Sequence, residues 1–159
     1  MASCIETKDK CENCDVAIKK QHLKCVKYIH MIKNRNSEYL NFQDENDYTW
    51  NEYICQNAVK NDHFNCVKYL HENGCPWDKY TCASAAHNGN LECLKYLHEN
   101  GCPWDKYTCL NAVRNGHFEC LKYAHENGCP LDEDVCIYVA SCNKHYKCKK
   151  YLYDLQKQK

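Results

Sequence analysis

The most reactive side chains in this sequence are those of its 16 cysteines and 9 histidines. Near the start, the motif Cys11-Glu12-Asn13-Cys14 holds two cysteines separated by two residues, and a histidine and a further cysteine follow it. Cysteine pairs of this spacing with a second ligand pair downstream are typical of structural zinc sites. The pattern therefore indicates one candidate metal site, whose ligands would be Cys11, Cys14, His22 and Cys25.

A second candidate chemistry is nucleophilic, because Cys93 is followed five residues later by His98. A catalytic cysteine must be accessible as the thiolate and must lie beside a base. The same pairing recurs twice, as Cys66 with His71 and Cys120 with His125. Since a catalytic pair is normally single, the recurrence favours a structural role, with the histidines half-buried and hydrogen-bonded. We expect no enzymatic activity.

Glycines and cysteines repeat at a fixed step along the chain. Gly74, Gly101 and Gly128 lie 27 residues apart, and the same step separates Cys55, Cys82, Cys109 and Cys136. A period of about 20 to 50 residues is typical of a solenoid of stacked repeats. We expect a single domain over residues 1–159 with five repeats, 14–33, 55–81, 82–108, 109–135 and 136–155, and an insertion at 34–54.

The repeat changes the interpretation of the candidate zinc ligands. Three of the four align with residues of the next repeat: Cys14 with Cys55, His22 with His63, and Cys25 with Cys66. We therefore expect no metal and no cofactor, and a zinc- or redox-responsive cysteine-rich protein remains the alternative. Free cysteine commonly serves as a small buried hydrophobic residue, and we expect that role for the repeated cysteines.

Within one repeat, the pattern predicts two short helices joined by turns. Apolar residues at helical spacing occur on both sides of Asn88-Gly89. Gly101 is placed to end the second helix, and Asp105 or Thr108 can cap the next first helix. Nothing in the repeat alternates with a period of two. The predicted fold is all-α, with about five helix pairs.

A large aromatic residue occupies one position of the repeat, at Trp77 and Trp104. One helix pair is too small to bury its own apolar stripe, so neighbouring pairs must stack. A buried ring of this size removes roughly 150–250 Å² from water. We therefore expect both tryptophans to be buried between neighbouring repeats.

The central repeats resemble ankyrin repeats. Residues 80–105, YTCASAAHNGNLECLKYLHENGCPWD, match the ankyrin pattern TPLHLAAENGHLEVVKLLLEAGADVN at Ala85, Ala86, Gly89, Leu91, Glu92, Leu94, Lys95, Leu97 and Gly101. The amino-acid sequence of these repeats is similar to that of ankyrin-like arrays abundant in giant DNA viruses of amoebae and in some protists. The resemblance, which covers Cys14 to about Leu152, implies a non-catalytic protein-interaction solenoid. A viral origin would make host proteins its targets.

Two departures from the ankyrin pattern matter. The ankyrin repeat has 33 residues, whereas this one has 27, and the difference falls between Asp105 and Tyr107. The family builds its β-hairpin finger there, so we expect fingers to be absent or reduced to tight turns. The histidine of the TPLH motif is also replaced, by Gln56, Ala83 and Leu110, so its hydrogen bonds are not expected here.

Polar residues share one face of the first helices, opposite the core positions. Stacking would align them into a concave strip that resembles the partner-binding surface of ankyrin proteins. The predicted partner-binding residues are Asn57, Lys60, Asn61, Ser84, His87, Asn88, Asn111, Arg114 and Asn115.

Charge and composition limit the other possible partners. The chain has 21 basic and 21 acidic residues, so no general attraction to nucleic acid or anionic membranes is expected. It has no apolar run of membrane-spanning length and no secretory signal pattern, which favours a cytoplasmic or nuclear location and reduced cysteines. Residues 144–159 carry six lysines against one acid, which we interpret as a solubilising terminal cap rather than a nucleic-acid site. We expect a monomer.

Overall fold

The computed structural model describes residues 52–158. The predicted first repeat, nearly all of the insertion, and the candidate zinc ligands Cys11, Cys14, His22 and Cys25 lie outside these residues. The chain divides into two compact bodies, Met1–Pro76 and Trp77–Lys159. They are called the N-terminal body and the C-terminal body below, and each is described by itself.

The described part of both bodies is built from helix pairs. The N-terminal body contributes α1 (Glu52–Lys60) and α2 (Phe64–Glu72). The C-terminal body contributes α3 (Lys79–Asn88), α4 (Leu91–Glu99), α5 (Lys106–Arg114), α6 (Phe118–Glu126), α7 (Glu133–Cys142) and α8 (Tyr146–Gln156). Residues 52–158 contain no strand, and the segments where ankyrin fingers would lie are short stretches without helix or strand. The all-α prediction without fingers is confirmed for this part of the chain.

Local sequence signals set the ends of these helices as predicted. The Asp78 carboxylate accepts hydrogen bonds from the backbone N–H groups of Tyr80 and Thr81, and the Thr81 side chain closes a capping box. Asp105 caps α5 in the same way, through the N–H of Tyr107. Aspartate at this position satisfies donors that have no partner within the helix.

Like helices stack on like helices in the C-terminal body. The first helix of each pair packs on the first helix of the next, α3 on α5 and α5 on α7. The second helices follow in the same order, α4 on α6 and α6 on α8. The core between the two rows contains the repeated leucines, alanines and cysteines. This arrangement is the stacked repeat that the 27-residue period predicts.

The repeated cysteines are core residues, as expected. Of the 12 cysteines among the described residues, 11 are buried and only Cys142 is exposed. The thiols of Cys102 and Cys129 also connect consecutive turns, because they donate to the carbonyl oxygens of Asp78 (3.3 Å) and Asp105 (3.2 Å). Each contact spans 24 residues, so the thiol helps to set the spacing between repeats.

The expectation that both tryptophans are buried between repeats is only partly met, because Trp77 and Trp104 are half-buried. The Trp104 ring stacks on His98 at 3.8 Å with an interplanar angle of 12°. The Trp104 ring also makes an edge-on contact with the Tyr123 ring of the next repeat, with the ring centroids 6.3 Å apart. Packing between repeats is therefore confirmed for Trp104, with one part of the indole left open to solvent.

Candidate protein-binding surface

The predicted polar residues of α3 and α5 lie on one helical face, but they differ in exposure. Ser84 is only 9% exposed, and its hydroxyl donates to the Tyr80 carbonyl oxygen at 2.8 Å. His87, Asn88 and Arg114 are exposed. Ser84 is therefore poorly placed to meet a partner, whereas the last turns of both helices are open to solvent.

Asn111 and Asn115 connect the stacked first helices. Asn111 Nδ2 donates to the Ala83 carbonyl oxygen at 3.3 Å, and Asn115 Nδ2 lies 3.0 Å from His87 Nδ1. Both contacts join α5 to α3. The two asparagines therefore contribute to stacking, whether or not they also contact a partner.

The C-terminal ends of the first helices are held from the following repeat. The ring Nε2 of His117 donates to the carbonyl oxygen of His87 at 3.0 Å. One repeat later, His145 Nε2 and Asn143 Nδ2 both donate to the Arg114 carbonyl oxygen, at 3.1 and 2.9 Å. The last carbonyls of a helix lack partners within it. The side chains of the following repeat donate hydrogen bonds to these carbonyl oxygens and fix the orientation of the exposed last turn.

The remaining predicted strip residues lie in the N-terminal body, on α1 and just after it. Lys60 Nζ donates to Gln56 Oε1 at 3.1 Å, and Asn61 Nδ2 donates to the Asn57 carbonyl oxygen at 2.8 Å. Lys60 and Asn61 are exposed, and Asn57 is half-buried. All three lie at the surface of this body.

The same face has an aromatic part that is not among the residues predicted from the sequence. Tyr80 is 52% exposed and Tyr107 is 47% exposed. Tyr80 precedes Ser84 and His87 by four and seven residues, so the three side chains share one side of α3. The signal was available, because Tyr53, Tyr80 and Tyr107 recur every 27 residues. Tyrosine at a helix start fits neither the core pattern nor a polar strip, so the helical periodicity alone does not mark it as a site residue.

Two further exposed apolar side chains continue this face on α7, namely Val135 (43%) and Tyr138 (70%). We call Tyr80, Tyr107, Val135 and Tyr138, with His87, Asn88 and Arg114, the first-helix surface. Between α5 and α7 it contains a shallow groove of about 220 Å³. The groove is lined by Lys106, Tyr107, Leu110, Asp132, Val135 and Cys136.

Cations flank the aromatic rings of this surface. Lys79 Nζ lies 3.2 Å from the Asp105 carboxylate and 5.4 Å from the centroid of the Tyr80 ring. The hydrogen bond to Asp105 raises the pKa of the Lys79 ammonium. Lys106 lies 5.9 Å from the Tyr107 ring centroid. The surface thus combines exposed rings with fixed positive charge.

In two of the recurring cysteine–histidine pairs, the histidine is hydrogen-bonded to a tyrosine and the cysteine is buried. His98 Nδ1 is 3.0 Å from the Tyr123 hydroxyl, and His125 Nδ1 is 2.8 Å from the Tyr151 hydroxyl. Cys93 and Cys120 are each 1% exposed, and burial raises the pKa of Cys120 to about 11. The prediction that these histidines are half-buried and hydrogen-bonded is confirmed for His98 and His125.

Within 52–158, no three histidine, cysteine, aspartate or glutamate side chains group in a way that could hold a metal ion. No helix of this part of the chain is long and apolar enough to cross a membrane.

Helix pairs stacked in register, with turns in place of strands, define a helical repeat protein. The family model of ankyrin repeats (3 copies) matches residues 15–102 and 82–159. The chain therefore belongs to the ankyrin repeat family. No curated protein matches it significantly. Among solved structures, the human ASB11 ankyrin repeat domain is similar with a TM-score of 0.66 at 22% identity, over 91% of this chain and 69% of that chain. At this identity, the likeness shows the fold.

Proposed function

We propose that this protein is a non-catalytic interaction module that binds a protein partner through the first-helix surface. The observation that carries the proposal is the row of exposed tyrosines on stacked first helices, beside the groove between α5 and α7. Tyrosine is enriched at the centres of protein interfaces because its ring buries a large area while its hydroxyl keeps a polar partner.

The two ends of the first helices give the surface two kinds of contact. Tyr107 at the start of α5 offers an aromatic ring next to the groove, and Arg114 at its end offers an exposed guanidinium. Since these residues are seven apart, both point from one side of the helix. A partner segment that lies along α5 would place apolar side chains in the groove and acidic side chains near Arg114.

The proposal extends to the setting in which the protein acts. Buried reduced thiols support a location inside the cell, cytoplasmic or nuclear, because an oxidising compartment would favour their pairing. The resemblance of the central repeats to viral arrays makes host proteins the first partners to test.

Site-specific photo-crosslinking tests the proposal. The crosslinking amino acid p-benzoylphenylalanine replaces Tyr107 in the full-length chain, and in a matched control it replaces Glu119, which is exposed on the second helix α6. After irradiation in extract of the native cell, mass spectrometry identifies the captured proteins. We expect a protein that is captured through position 107 and not through position 119.

The captured protein is then purified and its affinity is measured directly. Tyr107→Ala should weaken binding at least tenfold, as loss of a buried aromatic anchor does, and Glu119→Ala should change it less than twofold. Equal capture at both positions, or unchanged affinity of the Tyr107→Ala variant, would show that the first-helix surface is not the binding site.

A further inference from the structure

The last helix of the C-terminal body carries rings and cations on one face. Tyr146, Lys150, Tyr153 and Lys157 follow one another at helical spacing (i, i+4, i+7, i+11), and all four are exposed. Tyr146 is 73% exposed and Tyr153 is 42% exposed. Residues at this spacing share one side of a helix. We call these four residues the terminal face.

The terminal face occupies the position at which a further repeat would pack. Tyr146 and Tyr153 follow Phe118 and His125 by 28 residues each. Both of those residues contact Tyr151 of the next repeat, with ring centroids 5.7 and 5.8 Å from its ring. The two tyrosines therefore stand where inter-repeat contacts are made elsewhere in this body.

Lys144 replaces the glycine that precedes the helix-capping histidine of the repeat. It follows Gly116 by 28 residues and has the same left-handed backbone, with φ of 60° against 74°. At Gly116 the ring of His145 fills the place of a side chain, since a Cβ there would lie 2.5 Å from the ring Nδ1. A histidine of a further repeat would meet the Lys144 side chain in the same way.

Positive charge is concentrated around this face. Residues 144–158 contain Lys144, Lys147, Lys149, Lys150 and Lys157 against the single acid Asp154, whereas the whole chain is neutral. Lys149 Nζ lies 5.7 Å from the centroid of the Tyr153 ring. Within residues 52–158, none of these lysines forms an ion pair. A solubilising cap explains the cations, but it does not explain two exposed tyrosine rings between them.

We propose that the terminal face binds single-stranded nucleic acid. Unpaired bases stack on aromatic side chains, and lysines neutralise the phosphates between them. Tyr146 and Tyr153 are about 10 Å apart along the helix axis, at a rise of 1.5 Å per residue, with Lys150 between them. Rings and cations therefore alternate along the face as bases and phosphates do along a strand. A duplex keeps its bases stacked inside, so it offers no free base face to the two rings.

Fluorescence anisotropy on the full-length chain tests this proposal, with fluorescein-labelled 20-nucleotide oligouridylate and oligothymidylate as probes and a 20-base-pair duplex for comparison. We expect the single strands to bind more tightly than the duplex. Neutralising three or four phosphates should give a slope of log K against log salt of about −2 to −3. Tyr146→Ala and Tyr153→Ala should each weaken binding about fivefold or more.

A matched charge reversal provides the control. Lys150→Glu and Lys122→Glu change the net charge equally, and Lys122 occupies the equivalent position on α6. Only Lys150→Glu should weaken binding by tenfold or more. Circular dichroism melts establish that each variant is folded, as expected for exposed positions.

Three results would overturn the proposal. The first is that Lys150→Glu and Lys122→Glu weaken oligonucleotide binding equally. The second is that both tyrosine substitutions leave the affinity for single strands unchanged and that heparin binds as tightly as the oligonucleotides. The third comes from light scattering. A dimer that Tyr146→Ala dissociates, without any binding of single strands, would assign the face to a second copy of the chain.

Discussion

The Nδ1 atom of His98 lies 3.0 Å from the hydroxyl oxygen of Tyr123, and this contact joins two consecutive repeats. One repeat later, His125 and Tyr151 make the same contact at 2.8 Å. Both histidines and both tyrosines are half-buried. A hydrogen bond of this kind contributes about 0.5–1.5 kcal/mol to stability. Neighbouring repeats are therefore held together by repeated polar contacts as well as by the core.

The first prediction concerns this contact. Tyr123→Phe removes the hydroxyl and keeps the ring against Trp104, so the free energy of unfolding should fall by about 1 kcal/mol. Urea denaturation measures the change. The control is Tyr138→Phe, at a side chain that is 70% exposed, and it should stay within about 0.5 kcal/mol of the wild type. Equal effects of the two substitutions would mean that the Tyr123 hydroxyl does not stabilise the stack.

Trp104 should matter for stability, but less than a fully buried ring. Truncation of a buried tryptophan costs about 3–5 kcal/mol, and Trp104 is half-buried, so Trp104→Ala should cost about 2 kcal/mol. Arg114→Ala is the control. It leaves the backbone carbonyl that accepts from Asn143 and His145 and should change stability by less than about 0.5 kcal/mol. A larger loss for Arg114→Ala than for Trp104→Ala would reverse our assignment of stacking and exposed residues.

Two glycines with the same backbone conformation should respond differently to alanine. Gly116 and Gly128 have φ of 74° and 82°, where a side chain costs about 1–2 kcal/mol. At Gly128 a new Cβ meets nothing within 4 Å, whereas at Gly116 it lies 2.5 Å from His145 Nδ1. Gly116→Ala should therefore be more destabilising than Gly128→Ala by at least about 1 kcal/mol, because His145 must move and lose its hydrogen bond.

A double substitution separates the clash from the backbone strain. In a His145→Ala background, Gly116→Ala should cost no more than Gly128→Ala does in the wild type, as thermal melts would reveal. If the extra cost of Gly116→Ala persisted without the histidine ring, the ring would not be its cause.

The protein should lose stability in alkaline solution. Burial is the main cause that raises the pKa of Cys120 and of Cys136 from 9.0 to about 11. The unfolded chain releases these protons above about pH 9, while the folded chain keeps them until about pH 11. The contribution of these two thiols to the free energy of unfolding is thus complete below pH 9 and is lost as the pH rises through 11. Each thiol should reduce the free energy of unfolding by about 1 kcal/mol between pH 8 and pH 10.

Urea melts over this pH range measure the loss. Cys120→Ala lowers stability at every pH, but it should make the decline between pH 8 and pH 10 shallower. Cys142→Ala, at the exposed cysteine, should leave the decline unchanged. An identical decline in all three proteins would indicate that the buried thiols are not responsible.

The helices and the core could be predicted because their signals are local and periodic. Asp105 at a helix start and Gly101 after a helix end act through the backbone next to them, so they need no knowledge of the neighbouring repeat. The cysteine positions needed only the period of 27, because a position that is buried in one repeat is buried in the next.

The contacts between repeats, and the burial that follows from them, could not be predicted from local signals and the period. The half-exposure of Trp104 and the contact of Asn111 with the Ala83 carbonyl depend on the offset of one helix pair against the next, which the period does not specify. The period places Ser84 on the open polar strip, because it is the counterpart of Asn57 in the next repeat. Its hydroxyl is satisfied within its own helix by the Tyr80 carbonyl oxygen, which lets the side chain be buried.

The central claim is that the first helices carry the partner surface, and hydroxyl-radical footprinting of the tyrosines tests it most directly. The full-length chain is oxidised with and without the partner captured through Tyr107, and mass spectrometry measures oxidation at each exposed ring. We predict that Tyr80, Tyr107 and Tyr138 become protected, while Tyr146 and Tyr153 on α8 keep their rates. Protection of Tyr146 and Tyr153 with unchanged oxidation of Tyr107 would contradict the claim.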